Sequence, residues 1–176
     1  MNYAAVTISI LALAFTVFSF YWMNWRRGKL LISPPRTYAA IGSQSGKLVI
    51  DLPLVFFNNG PIPIVVQNLR LLFPEDKLYV QPLRFIATVE KIGTKEGRGF
   101  ATQFPVRGRE AVKMICEFQR EPGNLIFKTR VYAVELQAKL DYDERWQTLL
   151  TFKLRVNLES MAAINSQFVA HDNEDV

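Results

Sequence analysis

The chain has one cysteine and one histidine, the two residue types that most often serve as nucleophiles or metal ligands. Cys116 and His171 are far apart in sequence, whereas a metal centre needs several converging ligands and a Cys-His nucleophile needs both side chains together. Cys116 lies in an alternating apolar strand, between Met114 and Phe118, so we expect it to pack in the core. The sequence therefore predicts no metal site, no cofactor site and no catalytic residue. A single cysteine also excludes an intrachain disulfide, which favours a reducing compartment.

Three acidic residues, Asp141, Asp143 and Glu144, cluster before a strand and could in principle serve acid–base chemistry or bind calcium. The loop is short, and the ligand spacing of an EF-hand is absent. We interpret these residues as solvated turn residues. Without a nucleophile, a base and a stabilising group that can be assembled together, we expect that the protein is not an enzyme.

A glycine-rich stretch, GTKEGRG at residues 93–99, lacks the Gly-Lys-Ser/Thr of a phosphate-binding loop, and no helix follows it. Basic side chains nevertheless gather in this loop and the next one, and they are Lys91, Lys95, Arg98, Arg107 and Arg109. Two interpretations stay open: ordinary solvated turns, or contact with an anionic surface such as lipid headgroups or an acidic partner segment. The net charge of +5 is too small to indicate nucleic acid.

An uncharged N-terminal segment, residues 1–25, precedes these features. Its apolar run over 3–23 would form about 32 Å of helix at roughly 1.5 Å per residue, enough for a hydrocarbon core of about 30 Å. The segment lacks the basic start and small-residue cleavage site of a signal peptide, and it is longer than a core helix. Its tyrosines and tryptophans are typical of a membrane interface, and they are Tyr3, Tyr21, Trp22 and Trp25. The sequence predicts a transmembrane helix and a single-pass membrane protein.

Basic residues follow this segment at once, within a predicted linker over 26–46. We expect them to contact anionic lipid, and they are Arg26, Arg27, Lys29 and Arg36. Because positive charge is enriched on the cytoplasmic side of membranes, we expect the C-terminal domain in the cytoplasm, with a periplasmic or extracellular location as the alternative. Pro34 and Pro35 favour a stiff, extended spacer.

Residues 47–158 alternate between apolar and polar positions, as strands with one buried face do. Pro53 indicates a sheet edge or bulge, a change of parity predicts a bulge near Gln67 and Asn68, and Gly99–Val106 is predicted as one strand. Turns are predicted at residues 58–61 and 122–124. The predicted inward positions include Leu48, Ile50, Leu52, Leu54, Phe56, Phe85, Ala87, Val89, Phe100, Thr102, Phe104, Val112, Met114, Cys116, Phe118, Tyr132, Val134, Leu136, Ala138, Leu140, Trp146, Thr148, Leu150, Phe152, Leu154, Val156 and Leu158.

Seven or eight such strands predict an all-β fold, an antiparallel immunoglobulin-like β-sandwich behind the transmembrane helix. The segment 54–73, LVFFNNGPIPIVVQNLRLLF, resembles the strand–turn–strand of immunoglobulin-like accessory domains. It also resembles, more faintly, membrane-anchored sandwiches of the late-embryogenesis type. This resemblance implies a fold and no activity. Residues 159–176 are predicted to be a loose acidic tail.

The predicted function is a non-enzymatic protein-interaction or scaffolding module, such as an accessory subunit of a membrane complex. Its predicted partners are the lipid bilayer and a protein, but neither nucleic acid nor metal. The alternative is a lipid or apolar-ligand binding domain held at the membrane surface, which the 13 phenylalanines would permit.

Overall fold

A computed structural model describes residues 3–42, 46–75, 81–121 and 127–173. The turn predicted at 122–124 and the last three residues of the predicted tail lie outside the described residues. In chain order the elements are α1 (Tyr3–Asn24), β1 (Leu30–Ile32), β2 (Thr37–Ile41), β3 (Leu48–Asn58), β4 (Ile64–Leu72), β5 (Leu83–Val89), β6 (Gly99–Phe100), β7 (Phe104–Val106), β8 (Ala111–Arg120), β9 (Arg130–Leu140), β10 (Gln147–Val156), α2 (Leu158–Ile164) and β11 (Val169–Asp172).

None of the side chains of helix α1 is buried, and its C-terminal end contacts the sheet domain. Its hydroxyl groups are satisfied within the helix, because Thr7, Ser9 and Thr16 each donate to the carbonyl four residues earlier. Such internal hydrogen bonds let polar side chains enter an apolar environment at low cost. The predicted apolar helix is confirmed, and it is long and apolar enough to cross a membrane.

The strands form one antiparallel sheet that curls into a half-barrel. Its main path runs β10-β9-β4-β5-β8-β3-β2-β11, with β1, β6 and β7 attached to β3, β5 and β4. The all-β prediction is confirmed, but a two-sheet sandwich of seven or eight strands is not. Alternation within a strand specifies that one face is buried, and a curled sheet buries its concave face as well as two packed sheets do.

The predicted inward residues form most of the core. The five predicted residues of β3 are at most 1% exposed, and Cys116, Phe118, Leu136 and Ala138 are fully buried. Phenylalanines pack edge to face in this core, with Phe56 5.2 Å from Phe104 between ring centroids. Core packing of this kind gives the buried phenylalanines a structural role.

Bulges explain where the predicted alternation fails. The predicted bulge in β4 is confirmed between Val66 and Asn68. A further one in β5 lies between Phe85 and Ala87, so that Ala87 pairs with Glu117 and faces away from the core. Ala87 and Val89 are buried, but on the outer face of the sheet, so the face predicted for them was wrong.

In β10 a third bulge separates Thr148 from Leu150. Upstream of it Trp146 and Thr148, both predicted inward, lie on the outer face. The Arg70 guanidinium is 4.2 Å from the centroid of the Trp146 ring, and Thr148 is exposed. Leu158, also predicted inward, is exposed because it starts α2 instead of ending a strand. The predicted fourth strand is divided, since β6 pairs with β5 and β7 pairs with β4. Phe104 packs against the core, but Phe100 and Thr102 are exposed, so their inward prediction was wrong.

Pro53 does not mark an edge strand, because β3 lies inside the sheet. On one side β3 pairs with β8, and on the other β2 pairs at Val49–Asp51 and β1 at Phe56–Asn58. Pro53 lies between these two stretches, in a part of β3 that neither β1 nor β2 pairs with. A missing N–H is tolerated at such an interruption.

The linker and tail are more ordered than predicted. The linker contributes β1 and β2, and the tail contributes α2 and β11, which pairs with β2. Asn173 then joins the two ends of the sheet: its side chain donates to the Lys153 carbonyl and accepts from the Arg155 N–H of β10. Tyr38 of β2 also donates to the Arg155 carbonyl, at 2.6 Å. These neutral polar contacts hold the curl closed.

Candidate functional site

The end of the sheet nearest α1 is organised by Asn58, the last residue of β3. Asn58 is 0% exposed, and its amide makes a complete set of hydrogen bonds. Its Nδ2 donates to the carbonyls of Ile62 and Val106, while its Oδ1 accepts from the Gly60 N–H. The side chain thereby fixes the turn that follows β3 to the strand β7.

Glycines allow the chain leaving α1 to pack directly on this turn. A Cβ at Gly28 would overlap the Gly60 backbone and the Asn58 side chain, and a Cβ at Gly60 would overlap Gly28. Likewise, a Cβ at Gly108 would overlap the carbonyl of Pro61. Close backbone approach of this kind requires glycine. We call this contact between 25–29, 58–62 and 107–110 the junction.

Two arginines connect the junction to the end of the helix. Arg26 donates to the Asn59 carbonyl at 2.8 Å, with its guanidinium 4.6 Å from the Trp22 ring centroid. Arg109 donates to the Met23 carbonyl, one of the last carbonyls of α1. A cation at the helix C-terminus is favoured by the helix dipole. The backbones of Lys29 and Asn59 also bond each other, so the domain is docked on the helix end.

The junction brings together some of the basic residues predicted from the sequence and separates others. Arg26, Arg27 and Lys29 follow α1, and Arg107 and Arg109 lie in the adjoining turn. The remaining predicted basic residues are elsewhere: Arg36 precedes β2, and Lys91, Lys95 and Arg98 occupy the loop after β5. That loop contacts β3 at Asp51, seven residues or about 23 Å along the strand from Asn58. The basic residues of the two loops therefore do not lie together at one end of the sheet.

The acidic hairpin between β9 and β10 serves as a turn. Asp141 has a positive φ of 52°, and it accepts a hydrogen bond from the Val65 N–H. Asp143 pairs with Arg145 at 2.9 Å, and this hydrogen-bonded arginine lowers the pKa of Asp143 to about 2. Among the residues that the structure describes, no group of three or more His, Cys, Asp or Glu side chains is arranged to hold a metal.

The single cysteine and histidine lie in different parts of the sheet. Cys116 is fully buried in the core, where desolvation raises the pKa of its thiol. The His171 ring packs 5.5 Å from the Tyr38 ring, and burial lowers the pKa of the imidazole. Neither side chain is placed for chemistry with the other.

A pair of buried carboxyl groups was missed by the sequence analysis. Asp51 of β3 and Glu117 of β8 are directly opposite each other on the outer face of the sheet, at 0% and 6% exposure. The strand neighbours of this pair on the same face are Ala39, Ala87 and, beyond Ala39, Ala170. The available signal was the set of outward positions in LVIDLPLVFF: Val49 and Pro53, two residues from Asp51 on the same face, are apolar, which is unusual for a face exposed to water.

The loop after β5 covers these carboxyl groups. We call residues 90–98 the strap. Its Gly93 N–H donates to Asp51 at 3.2 Å, and its Arg98 donates to both carboxylate oxygens of Glu117 at 3.0 and 3.2 Å. Burial, and secondarily the charge of Glu117, raise the pKa of Asp51 to about 7. An acid of this kind gains or loses its proton near neutral pH.

Apolar side chains are exposed on the outer face beside the junction. Leu31 of β1 pairs with Phe57 of β3, and Val55 follows on the same face two residues away. Each of the three side chains is between 39% and 48% exposed. We call these three residues the apolar patch.

No family model matches the chain, and no curated protein matches it. One similar solved structure is described as "Crystal structure of protein from Archaeoglobus fulgidus". It covers 82% of this chain and 99% of that chain, with 10% sequence identity and a TM-score of 0.37. A likeness of this degree indicates neither a shared fold nor a shared function.

Proposed function

We propose that the chain is a single-pass membrane protein whose α1 helix spans the bilayer and holds a non-enzymatic interaction domain against the membrane surface. The observation that carries this proposal is the fully exposed apolar helix docked through the junction onto the end of the sheet. Exposed apolar surface of that extent requires an apolar environment. The junction supports a fixed position of the domain at the surface, rather than a domain on a long flexible tether.

Basic side chains at the junction support an anionic leaflet as the surface in contact. Arg26, Arg27 and Lys29 follow the helix end, and Arg107 and Arg109 lie in the adjoining turn. Juxtamembrane bases are attracted to anionic lipid by roughly 1 kcal/mol each. The same charge asymmetry favours the cytoplasmic side for the domain.

Membrane insertion is tested by extraction of full-length protein with alkaline carbonate. We expect the wild type to remain with the vesicles. Leu13→Lys, in the middle of α1, should release the protein, because a charge at the bilayer centre costs about 3 kcal/mol or more. Leu158→Lys is the matched control, since Leu158 is exposed on the domain. Release of the wild type, or equal behaviour of both variants, would contradict the proposal.

The side of the membrane is tested separately with a C-terminal tag on the full-length chain. In sealed vesicles of known orientation, protease should remove the tag from the cytoplasmic side alone. Removal from the opposite side alone would overturn the cytoplasmic assignment while leaving membrane insertion intact.

The apolar patch is the surface we propose for the protein partner. It lies beside the junction, where a membrane-embedded partner is within reach, and tethering raises the local concentration of both proteins. A photoreactive side chain at Phe57 in native membranes should form a defined adduct with a protein. The same group at Val131, which is 47% exposed on β9, should not. Adducts from both positions, or from neither, would contradict a contact at the patch.

A further inference from the structure

The strap lies on a row of three alanines and two acids that crosses the outer face of five strands. In order across the sheet, the row consists of Ala170, Ala39, Asp51, Glu117 and Ala87. Gly93 approaches this row so closely that an added Cβ would lie 3.3 Å from the Ala170 nitrogen and 3.5 Å from the Ala39 Cβ. Gly93 also has a φ of 72°, which disfavours other residues. The strap therefore packs closely on the sheet surface.

Asp51 is only partly satisfied beneath the strap. Its Oδ2 accepts from Gly93, but its fully buried Oδ1 has no hydrogen-bond partner among the residues that the structure describes. A buried carboxyl oxygen without a donor strongly disfavours the ionised form.

Few other charges act on Asp51. Glu117 faces it from β8 and disfavours ionisation, whereas Arg98 favours it but is bonded to Glu117. The facing residues of β2, β5 and β11 are alanines, and the thiol of Cys116 lies on the other face of β8. The remaining charged residues of the strap, Glu90, Lys91, Lys95 and Glu96, are exposed.

We propose that Asp51 is a proton-binding site that controls the strap: its proton keeps the strap closed on the sheet, and loss of the proton loosens it. A neutral Asp51 can stay buried beside Glu117. An ionised Asp51 repels Glu117 and requires water, which it obtains when the strap lifts. Lifting the strap also uncovers Ala39, which Gly93 approaches on the outer face, so the proton determines whether this part of the surface is accessible.

The direction of the pH effect follows from the raised pKa. The closed state holds its proton up to about pH 7, whereas a hydrated Asp51 would release it near pH 4. Between these values the closed state binds more protons than the open state, so rising pH favours opening. The opening equilibrium should increase by up to about tenfold per pH unit in that window and level off above it.

The test is hydrogen exchange of the strap amides, Gly93 above all, in full-length protein in micelles between pH 5 and 8. Rates are corrected for those of unstructured peptide at the same pH. We expect the corrected opening constant to rise with pH in the wild type and to be flat in Asp51→Asn. The Arg109 N–H, bonded to the Gly60 carbonyl at 2.9 Å, is an internal reference that should show no such rise. A flat wild-type profile, or the same slope in the variant, would overturn the proposal.

A second variant tests the coupling from the other side. Gly93→Ala should open the strap at every pH, because the added Cβ meets the backbones of Ala170 and Phe168. Proton binding and strap closure are linked reciprocally, so the titration midpoint of the Asp51 carboxyl, followed by its ¹³C shift, should fall toward 4. An unchanged midpoint despite faster strap exchange would show that Asp51 does not sense the strap.

Discussion

Two buried polar residues on the same strand, Asn58 and Asp51, do opposite things for the molecule. Both are 0% exposed, and both accept a hydrogen bond from the backbone of a glycine, Gly60 or Gly93. Asn58 has partners for both its carbonyl oxygen and its amide nitrogen. Asp51 has one carboxyl oxygen without a hydrogen-bond partner in the described part of the chain, and it lies beside a second acid, Glu117.

The difference teaches which polar contacts can be permanent. A neutral amide with a complete set of partners stabilises its surroundings at any pH. A buried carboxyl group with an incomplete set depends on its proton, so the structure around it depends on pH. The junction at Asn58 is accordingly suited to fixing the domain on the helix, and the strap over Asp51 is suited to moving.

The largest effect on the free energy of unfolding should come from replacing Asn58 by an acid, so that its site resembles that of Asp51. Asn58→Asp removes the donors to the Ile62 and Val106 carbonyls and sets a carboxylate against both of them. We expect a loss of about 3–5 kcal/mol in the free energy of unfolding at pH 7. Denaturant unfolding of the full chain in micelles, followed by tryptophan fluorescence, measures it.

The matched control for that change is Asn59→Asp. The Asn59 side chain accepts from the Lys29 N–H, and a carboxylate retains that acceptor. We expect a change of less than about 1 kcal/mol. Equal losses in the two variants would mean that burial of the Asn58 amide is not what holds the junction.

A smaller effect is expected from Gly60→Ala, where the Cβ would overlap the Gly28 backbone. We expect a loss of about 2–3 kcal/mol, within the range of overpacking. Because Gly28 carries the chain away from α1, trypsin should also cleave after Arg26, Arg27 and Lys29 sooner. Gly99→Ala is the control, since its Cβ would meet only Thr88 Oγ1, at 3.4 Å. Unchanged cleavage in Gly60→Ala would contradict the prediction that close packing at Gly60 holds residues 26–29 on the domain.

The sequence predicted the core better than it predicted either of these sites. Leu48, Ile50 and Leu52 alternate in β3 because one face of the sheet is buried, and this pattern is local. The bulge in β5 and the strap depend on which strands become neighbours. Asp51 and Glu117 are far apart in sequence, so their approach follows from strand order alone. For the same reason alternation could not distinguish a sandwich from one curled sheet.

The amino-acid composition of the tail also did not predict that α2 and β11 would form. The capping box between Asn157 and Ser160 begins α2, and β11 adds to the edge at β2. Two of the acidic residues that suggested disorder are part of these elements, Glu159 in α2 and Asp172 in β11. Pairing with an existing edge supplies the stability that the tail sequence lacks by itself.

Replacing Asp51 by a residue that cannot ionise should raise the free energy of unfolding. With Asp51→Asn, the cost of ionising the buried carboxyl disappears, so the variant should exceed the wild type by about 1–3 kcal/mol at pH 8. Because the pKa of Asp51 is raised to about 7, wild-type stability falls between about pH 4 and pH 7, and the two proteins should agree at pH 4. Denaturant unfolding at both pH values measures the difference. A constant difference across pH would assign the effect to packing.

The smallest effect is expected where an acid has a shifted pKa but no burial. Asp143 is held by Arg145 in the turn before β10, and its pKa is lowered to about 2. This shift has the opposite sign to that of Asp51: the contact with Arg145 is present above pH 4 and is lost as pH falls toward 2. Exposed ion pairs are screened by water and ions, so Asp143→Asn should leave the unfolding midpoint at pH 7 within error. The ¹³C shift of the Asp143 carboxyl should still titrate near 2. A clear loss of stability in Asp143→Asn would mean that charge alone, without burial, makes a carboxyl group structural in this sheet, and the contrast between Asn58 and Asp51 would then need another cause.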